Sequence, residues 1–174
     1  MIFDTGSSDL WVRAHAYNAS KSSTASKKGS SSSNMWQIQY GGGGVHGIVM
    51  RDSVQVLQSH GGASLTATNA AFAVATNSWK GFNEPSGYRE EGGAQEGIFA
   101  TLKGDGVLGM AFRNLNAVRH DKQATLMDHF VEQGQVKHSG FAIYLAGSAS
   151  GSSTSSSESF VAFGVNASTA NLTG

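Results

Sequence analysis

Apolar and polar positions along this chain change period several times, and each change marks an element. The chain opens on Met1-Ile2-Phe3, which reads as a short buried strand, stopped by Asp4-Thr5-Gly6-Ser7-Ser8; apolar residues return at Leu10-Trp11-Val12. Residues 18–34 are rich in Ser, Lys, Thr and Gly without periodicity and read as a surface loop. From Met35 to Tyr40 the pattern alternates, Trp36, Ile38 and Tyr40 on one face and Gln37 and Gln39 on the other, which is a half-buried strand. Gly41 to Gly44 interrupt it, and a second strand runs over residues 45–57, with Val54 and Val56 opposite Ser53 and Gln55. Strand, glycine turn and strand predict a β-hairpin whose glycines supply positive φ.

Further along, two short strands fit residues 64–68 and 71–75, followed by a polar, glycine-rich loop from Thr76 to about Gln95. Residues 107–112 form a compact apolar run. The spacing turns helical over residues 125–133, with Leu126, Met127, Phe130 and Val131 on one stripe and Gly134 placed to end the helix. Phe141, Ile143 and Leu145 alternate as a strand, residues 147–157 read as a Ser/Gly loop, and residues 160–163 as a returning strand. No internal repeat or linker divides the chain, so the pattern describes a single domain.

Composition agrees with a turn-rich, largely β domain: 174 residues hold 23 glycines, 1 proline and 39% apolar residues. Lysine plus arginine number 12 and aspartate plus glutamate 12, so a neutral chain with no basic block gives no footprint for nucleic acid. No apolar run approaches the roughly 20 residues that span a bilayer, so no membrane-spanning segment is expected. The absence of cysteine excludes disulfides and thiol chemistry. Sequons at Asn18, Asn166 and Asn171 make these three residues candidate N-glycosylation sites. The six histidines (His15, His46, His60, His120, His129 and His138) show no close metal-ligand pair and read as surface or hairpin residues, so no metal site is expected. The glycine run at 41–44 lacks the Lys-Ser/Thr of a phosphate loop, and no Gly-x-Ser-x-Gly elbow occurs.

The informative string is Ile2-Phe3-Asp4-Thr5-Gly6-Ser7-Ser8-Asp9-Leu10-Trp11-Val12, which closely resembles the active-site signature of the pepsin-like aspartic endopeptidases. The resemblance continues in the family's order. Tyr40-Gly41-Gly42-Gly43-Gly44, Gly47-Ile48 and residues 52–56 are similar to the family's flap hairpin and return strand. Residues 105–112, then Phe130, Gln133-Gly134, residues 141–145, Phe163-Gly164 and Leu172-Thr173-Gly174 match the segments that follow.

This resemblance implies a mainly β fold, the amino-terminal lobe of an acid protease: a closed, double-psi-type β-barrel or sheet lobe with one or two short helices. It implies peptide hydrolysis at acidic pH by water activated between two Asp carboxyls, with no cofactor. Two carboxyls held a few ångströms apart cannot easily both ionise, a behaviour of which aspartic proteases are themselves the standard example. One member then accepts a proton from water while the other donates. Asp4 is the catalytic carboxylate that the resemblance assigns. Gly6 brings its amide to that carboxylate, the Ser7 hydroxyl bonds its outer oxygen, Thr5 braces the opposite lobe, and Gly109 gives clearance beside the Asp4 loop. Tyr40 is the flap tyrosine with Trp11 as hydrogen-bond partner, while Gly41 and Gly42 pair with an extended peptide or protein substrate as an added strand. Phe99 and Val107 line the pocket beside the scissile bond. A secreted protein, or one of an acidic, lysosome- or vacuole-like endomembrane compartment, follows from the family and the sequons together.

The sequence departs from the family's pattern in four ways. Gly42 replaces a small hydroxyl residue at the flap, which predicts a more mobile tip. Gly104 stands where relatives often have an aromatic, so a pocket wall is thinned. The small disulfide loop after the signature is absent. Finally, Asp4 stands close to the start and Asp-Thr-Gly occurs once, so the first strands and a carboxy-terminal lobe with its own aspartate are expected to lie outside this chain. Three readings stay open: half of a bilobal acid endopeptidase, a self-sufficient homodimeric protease with one Asp4 per copy, and a non-catalytic pepsin-like binding domain.

Overall fold

The computed structural model describes residues 1–27, 34–58, 63–81, 97–117, 124–146 and 158–166. Strands β1 (Ile2–Asp4), β2 (Leu10–Arg13), β3 (Ser26–Lys27), β4 (Met35–Tyr40), β5 (Gly43–Val56), β6 (Leu65–Lys80) and β7 (Gly106–Gly109) form one sheet. Its order is β1-β7-β2-β6-β5-β3, with β4 also on β5. Two more strands, β8 (Phe141–Tyr144) and β9 (Phe160–Phe163), pair antiparallel apart from it. Helices α1 (Ile98–Thr101) and α2 (Leu126–Glu132) are short, so the described residues are mainly β.

The long antiparallel pair of β5 and β6 is the frame. Register shifts between His46 and Gly47 and between Asp52 and Val54 put irregularities into it, and such bulges bend a sheet and strengthen its twist. One bend coincides with Asn69, whose φ of 52° is the left-handed conformation that asparagine tolerates better than most residues. On the other edge of β5, β4 pairs with residues 43–48 and β3 with Met50 and Arg51.

The alternation read in β4 is seen in the burial: Trp36 and Ile38 are buried while Gln37 and Gln39 are exposed. These two join Trp11, Val45, Val49, Phe99 and Val107 in the main core. A second core lies beneath α2, where Leu126 and Phe130 meet Ala67, Ala70 and Leu108, and Phe163 of β9 packs edge-on against Phe130 at 5.9 Å. Thr125 caps α2 reciprocally: Asp128 N donates to the Thr125 hydroxyl oxygen, and Thr125 N donates to the Asp128 carboxylate. Gly134, at φ 68°, ends the helix as expected.

Three expectations are corrected. The two strands read at 64–68 and 71–75 are one strand that runs on to Lys80, so the loop expected from Thr76 begins later. Thr76, Asn77 and Ser78 look like loop residues by side chain, yet strand pairing uses the backbone, and the backbones of Asn77 and Ser78 pair with His46 and Val45. Residues 82–96 and 147–157 of the expected loops lie outside the described residues. Second, β5 begins at Gly43 rather than Val45, so the turn has only two residues, and its positive φ is carried by Gly43 (150°), not by Gly41 or Gly42. Third, the apolar run at 107–112 is split: Val107 and Leu108 are buried, but Phe112 is 87% exposed.

Candidate active site

Three crossing segments make the site, and each is positioned by backbone pairing. β1 delivers Asp4 beside Gly109 of β7 in a parallel pair, and Met110 N donates to the Asp4 carbonyl at 2.7 Å. The chain turns back at Thr5-Gly6, and β2 then pairs antiparallel with the same β7. The loop after Asp4 therefore lies against the loop after β7. Ala111 N donates to Ser7 O at 2.9 Å, Gly109 N to Asp9 O at 3.0 Å, and Ser8 Oγ to Phe112 O at 2.5 Å. A Cβ on Gly109 would sit 2.6 Å from Asp9 N and from Ser7 O, so no larger residue fits without moving backbone.

The Asp4 carboxylate takes one donor on each oxygen. Gly6 N donates to Oδ1 at 2.9 Å and Ser7 Oγ to Oδ2 at 2.5 Å. A Cβ at Gly6 would stand 3.3 Å from Oδ1, tight against the carboxylate it serves. Thr5 is exposed beside them.

Across the cleft, β4 ends at Tyr40. The buried Trp11 indole donates through Nε1 to Tyr40 Oη at 2.8 Å. Burial pushes the Tyr40 phenol up, and the nearby Asp9 and Asp4 charges add to this, against the opposing hydrogen bonds from Trp11 and Ser7. The hydroxyl therefore stays protonated at acidic and neutral pH. Gly41 and Gly42 form the exposed tip, with nothing within 4 Å of where a Cβ would be.

Between these walls lies a cleft of about 620 Å³, lined among others by Asp4, Trp11, Tyr40, Gly42 and Val107. Val107 and Gly42 are in this lining and Phe99 is not. Its ring is 5% exposed and faces the core, 6.2 Å from Trp11, because α1 turns Ile98, Ala100 and Thr101 toward the cleft instead. Gly104 has room for a side chain, with its nearest neighbours 3.7 Å from a Cβ.

Sequence reasoning passed over Asp9, Arg13, Trp79 and Lys80. Asp9 is 2% exposed and accepts from Trp36 Nε1 at 2.9 Å and Ala117 N at 2.9 Å. A buried carboxylate must find donors, and these two come from residues 27 and 108 positions further along the chain. Arg13 Nη2 donates to Phe99 O at 2.7 Å and Leu102 O at 3.1 Å, with the guanidinium 4.9 Å from the Phe99 ring centre. This pins the α1 wall of the cleft to β2. Among the sequons, Asn18 is exposed and accepts from Ser20 N and Oγ, Asn166 contacts His138, and Asn171 lies outside the described residues. His46 lies in the β4–β5 hairpin, buried against Trp79, His15 faces Asp105, and His60 and His120 lie outside the described residues. Among the described residues no group of three or more His, Asp or Glu gathers in a way that could hold a metal ion.

A carboxylate held between two donors under a tyrosine-bearing hairpin is the arrangement of an acid protease lobe, and residues 1–172 match the model of the eukaryotic aspartyl protease family. The chain belongs to that family. It is similar to cathepsin D of Homo sapiens, 31% identical over 160 residues that cover 84% of this chain and 34% of the relative. Cathepsin D of Gallus gallus is 30% identical, covering 83% and 32%, and embryonic pepsinogen of Gallus gallus is 31% identical, covering 84% and 33%. The chain thus spans about a third of the length of these relatives.

Proposed function

We propose that the protein carrying this chain is an aspartic-type endopeptidase working at acidic pH, with Asp4 as one of two carboxyls that activate water. The observation that carries this is the Asp4 carboxylate, held by Gly6 N and Ser7 Oγ, facing a cleft roofed by Tyr40. In the step this supports, the charged carboxyl takes a proton from water as its oxygen bonds to the peptide carbonyl carbon. The protonated carboxyl gives its proton to the carbonyl oxygen, and collapse of the resulting diol breaks the C–N bond as the amine takes a proton. Ser7 and Gly6 hold the carboxylate in place, and Thr5, exposed beside it, is available to brace a neighbouring lobe. The second carboxyl comes from a carboxy-terminal lobe of the same protein, so the domain reading of residues 1–174 as one partial lobe belongs to this proposal. The substrate is an extended peptide or protein segment laid along the exposed tip at Gly41 and Gly42. A secreted or acidic endomembrane location goes with this reading, supported by the exposed sequon at Asn18.

The test compares the full-length protein with the 174-residue chain on an unfolded protein substrate in acid. Each is measured with and without Asp4→Ala, at equal folded fraction by circular dichroism. Activity of the full-length protein should vanish with the substitution, and the chain alone should be inactive. Activity of the chain alone, abolished by Asp4→Ala, would mean that two copies form the dyad. A folded full-length protein with no acid activity would overturn the reading and leave a peptide-binding domain.

A further inference from the structure

We propose that Lys80 is a specificity-determining residue of this cleft, binding a carboxylate of the peptide that occupies it. The proposal rests on the peptidase reading for its substrate class and extends it to a charge preference.

Among the described residues, Lys80 is the one basic side chain lining the cleft, and Asp4 the one acidic side chain. The rest of the described lining is neutral, with Ile98, Leu102 and Val107 among it. A cation beside such walls projects a field into the cleft.

The position of Lys80 is fixed by its backbone. It pairs with Gly43 at the end of β6, beside the hairpin tip, and follows Trp79, whose ring is buried under Gly44. The side chain itself is exposed and makes no hydrogen bond or ion pair with a described residue, Asp4 included. Among the described residues, the titratable groups sharing the cleft wall with Lys80 are Asp4 and Tyr40, and the phenol of Tyr40 is neutral in acid. A peptide carboxylate ordinarily titrates near pH 4, so its attraction to Lys80 should exist at pH 5 and fade by pH 3.

Binding is measured by fluorescence anisotropy on the full-length protein carrying Asp4→Asn, which holds peptides without cleaving them. The probes are acetylated, amidated peptides scanned with Glu against Gln at each position, and a parallel set with a free carboxy terminus. At pH 5 one position should favour Glu by about two- to fivefold, the range of an exposed ion pair. Lys80→Ala should bring that ratio to about one, and Lys80→Glu should invert it, with the Gln peptide bound as before. At pH 3 the ratio should collapse without substitution. A gain confined to the free-terminus set would identify a terminal carboxylate as the ligand. No Glu or terminal preference, or one that survives Lys80→Ala, overturns the proposal. Peptides that bind with the predicted ratio but are not cleaved by the unsubstituted protein leave Lys80 standing and remove the peptidase reading instead.

Discussion

Replacing Asp52 by Ala should detach the segment after β2 from the sheet. Asp52 is 5% exposed and accepts from Tyr17 Oη at 2.9 Å, Ser22 Oγ at 2.8 Å, Ser53 N at 2.7 Å and Thr24 Oγ1. Three of these four donors come from residues 17–24, where Tyr17 also packs edge-on against Phe72 at 5.0 Å and Ala19 packs on the same cluster. The chain has no cysteine, so it is this carboxylate and not a disulfide that ties the region down. A hydrogen bond to a charged acceptor is worth about 1.5–3 kcal/mol, but these hydroxyls lie near the surface and water replaces part of each loss. A deficit of about 2–3 kcal/mol follows, well below the sum. Burial raises the Asp52 carboxyl, and the hydrogen bonds from Thr24, Ser22, Ser53 and Tyr17 outweigh it, so the net shift is downward. A depressed carboxyl stabilises fully above the unfolded value of about 3.9, and loses that contribution as pH falls through the lower folded value. Urea unfolding followed by circular dichroism at pH 6 and pH 2.5 measures both terms. The deficit should be full at pH 6 and much smaller at pH 2.5. An equal deficit at both pH values, or none at pH 6, would refute the argument. Tyr17, pushed up to about 12 by burial and then by the Asp52 hydrogen bond and charge, should also titrate nearer 10 in the variant.

Other substitutions test neighbouring parts. Gly109→Ala puts a methyl 2.6 Å from two backbone atoms of the Asp4 loop and should cost about 1–3 kcal/mol or more by urea unfolding. Trp11→Phe removes the 2.8 Å donor to Tyr40 and should cost about 1 kcal/mol; hydrogen exchange at the hairpin tip should speed up with it. Asp128→Asn weakens both the α2 cap and the 3.0 Å contact from Arg113, for about 1 kcal/mol at pH 6. Burial raises that carboxyl too, but Arg113 and Thr125 lower it further, so the loss should shrink as pH falls below about 4.

What the sequence shows and what it hides divide along physical lines. Apolar alternation exposes a strand with one wet face, so Trp36 and Ile38 mark β4, and Thr125 with Gly134 brackets α2. The Asp4 string was legible through its resemblance to the family's signature, and one backbone amide, Gly6 N, and one side chain, Ser7 Oγ, meet its carboxylate. The far end of β6 was not legible, since Thr76-Asn77-Ser78 contribute backbone pairing that side-chain pattern does not record. The family resemblance places Phe99 at the cleft, but an aromatic residue near a site suits both a pocket and a core. Only the turn of α1, held by Arg13, decides between them. Lys80 and Asp9 are single polar residues whose meaning depends on contacts far along the chain.

The bracing of the hairpin by a third strand has a mechanical consequence. β6 follows β5 to the Gly43–Lys80 pair, Gly81 N reaches Gly42 O at 3.2 Å, and Gln39 Nε2 donates to Gly81 O at 2.9 Å. The Trp79 ring fills the space of a side chain at Gly44, where a Cβ would come within 2.0 Å of it. A lever swings only beyond its last fixed point, and here the bond from Gly81 N holds Gly42 at the tip itself. No free arm extends past that bond, so the hairpin beside the Tyr40 ring is a fixed wall, and the width of the cleft is set when the chain folds.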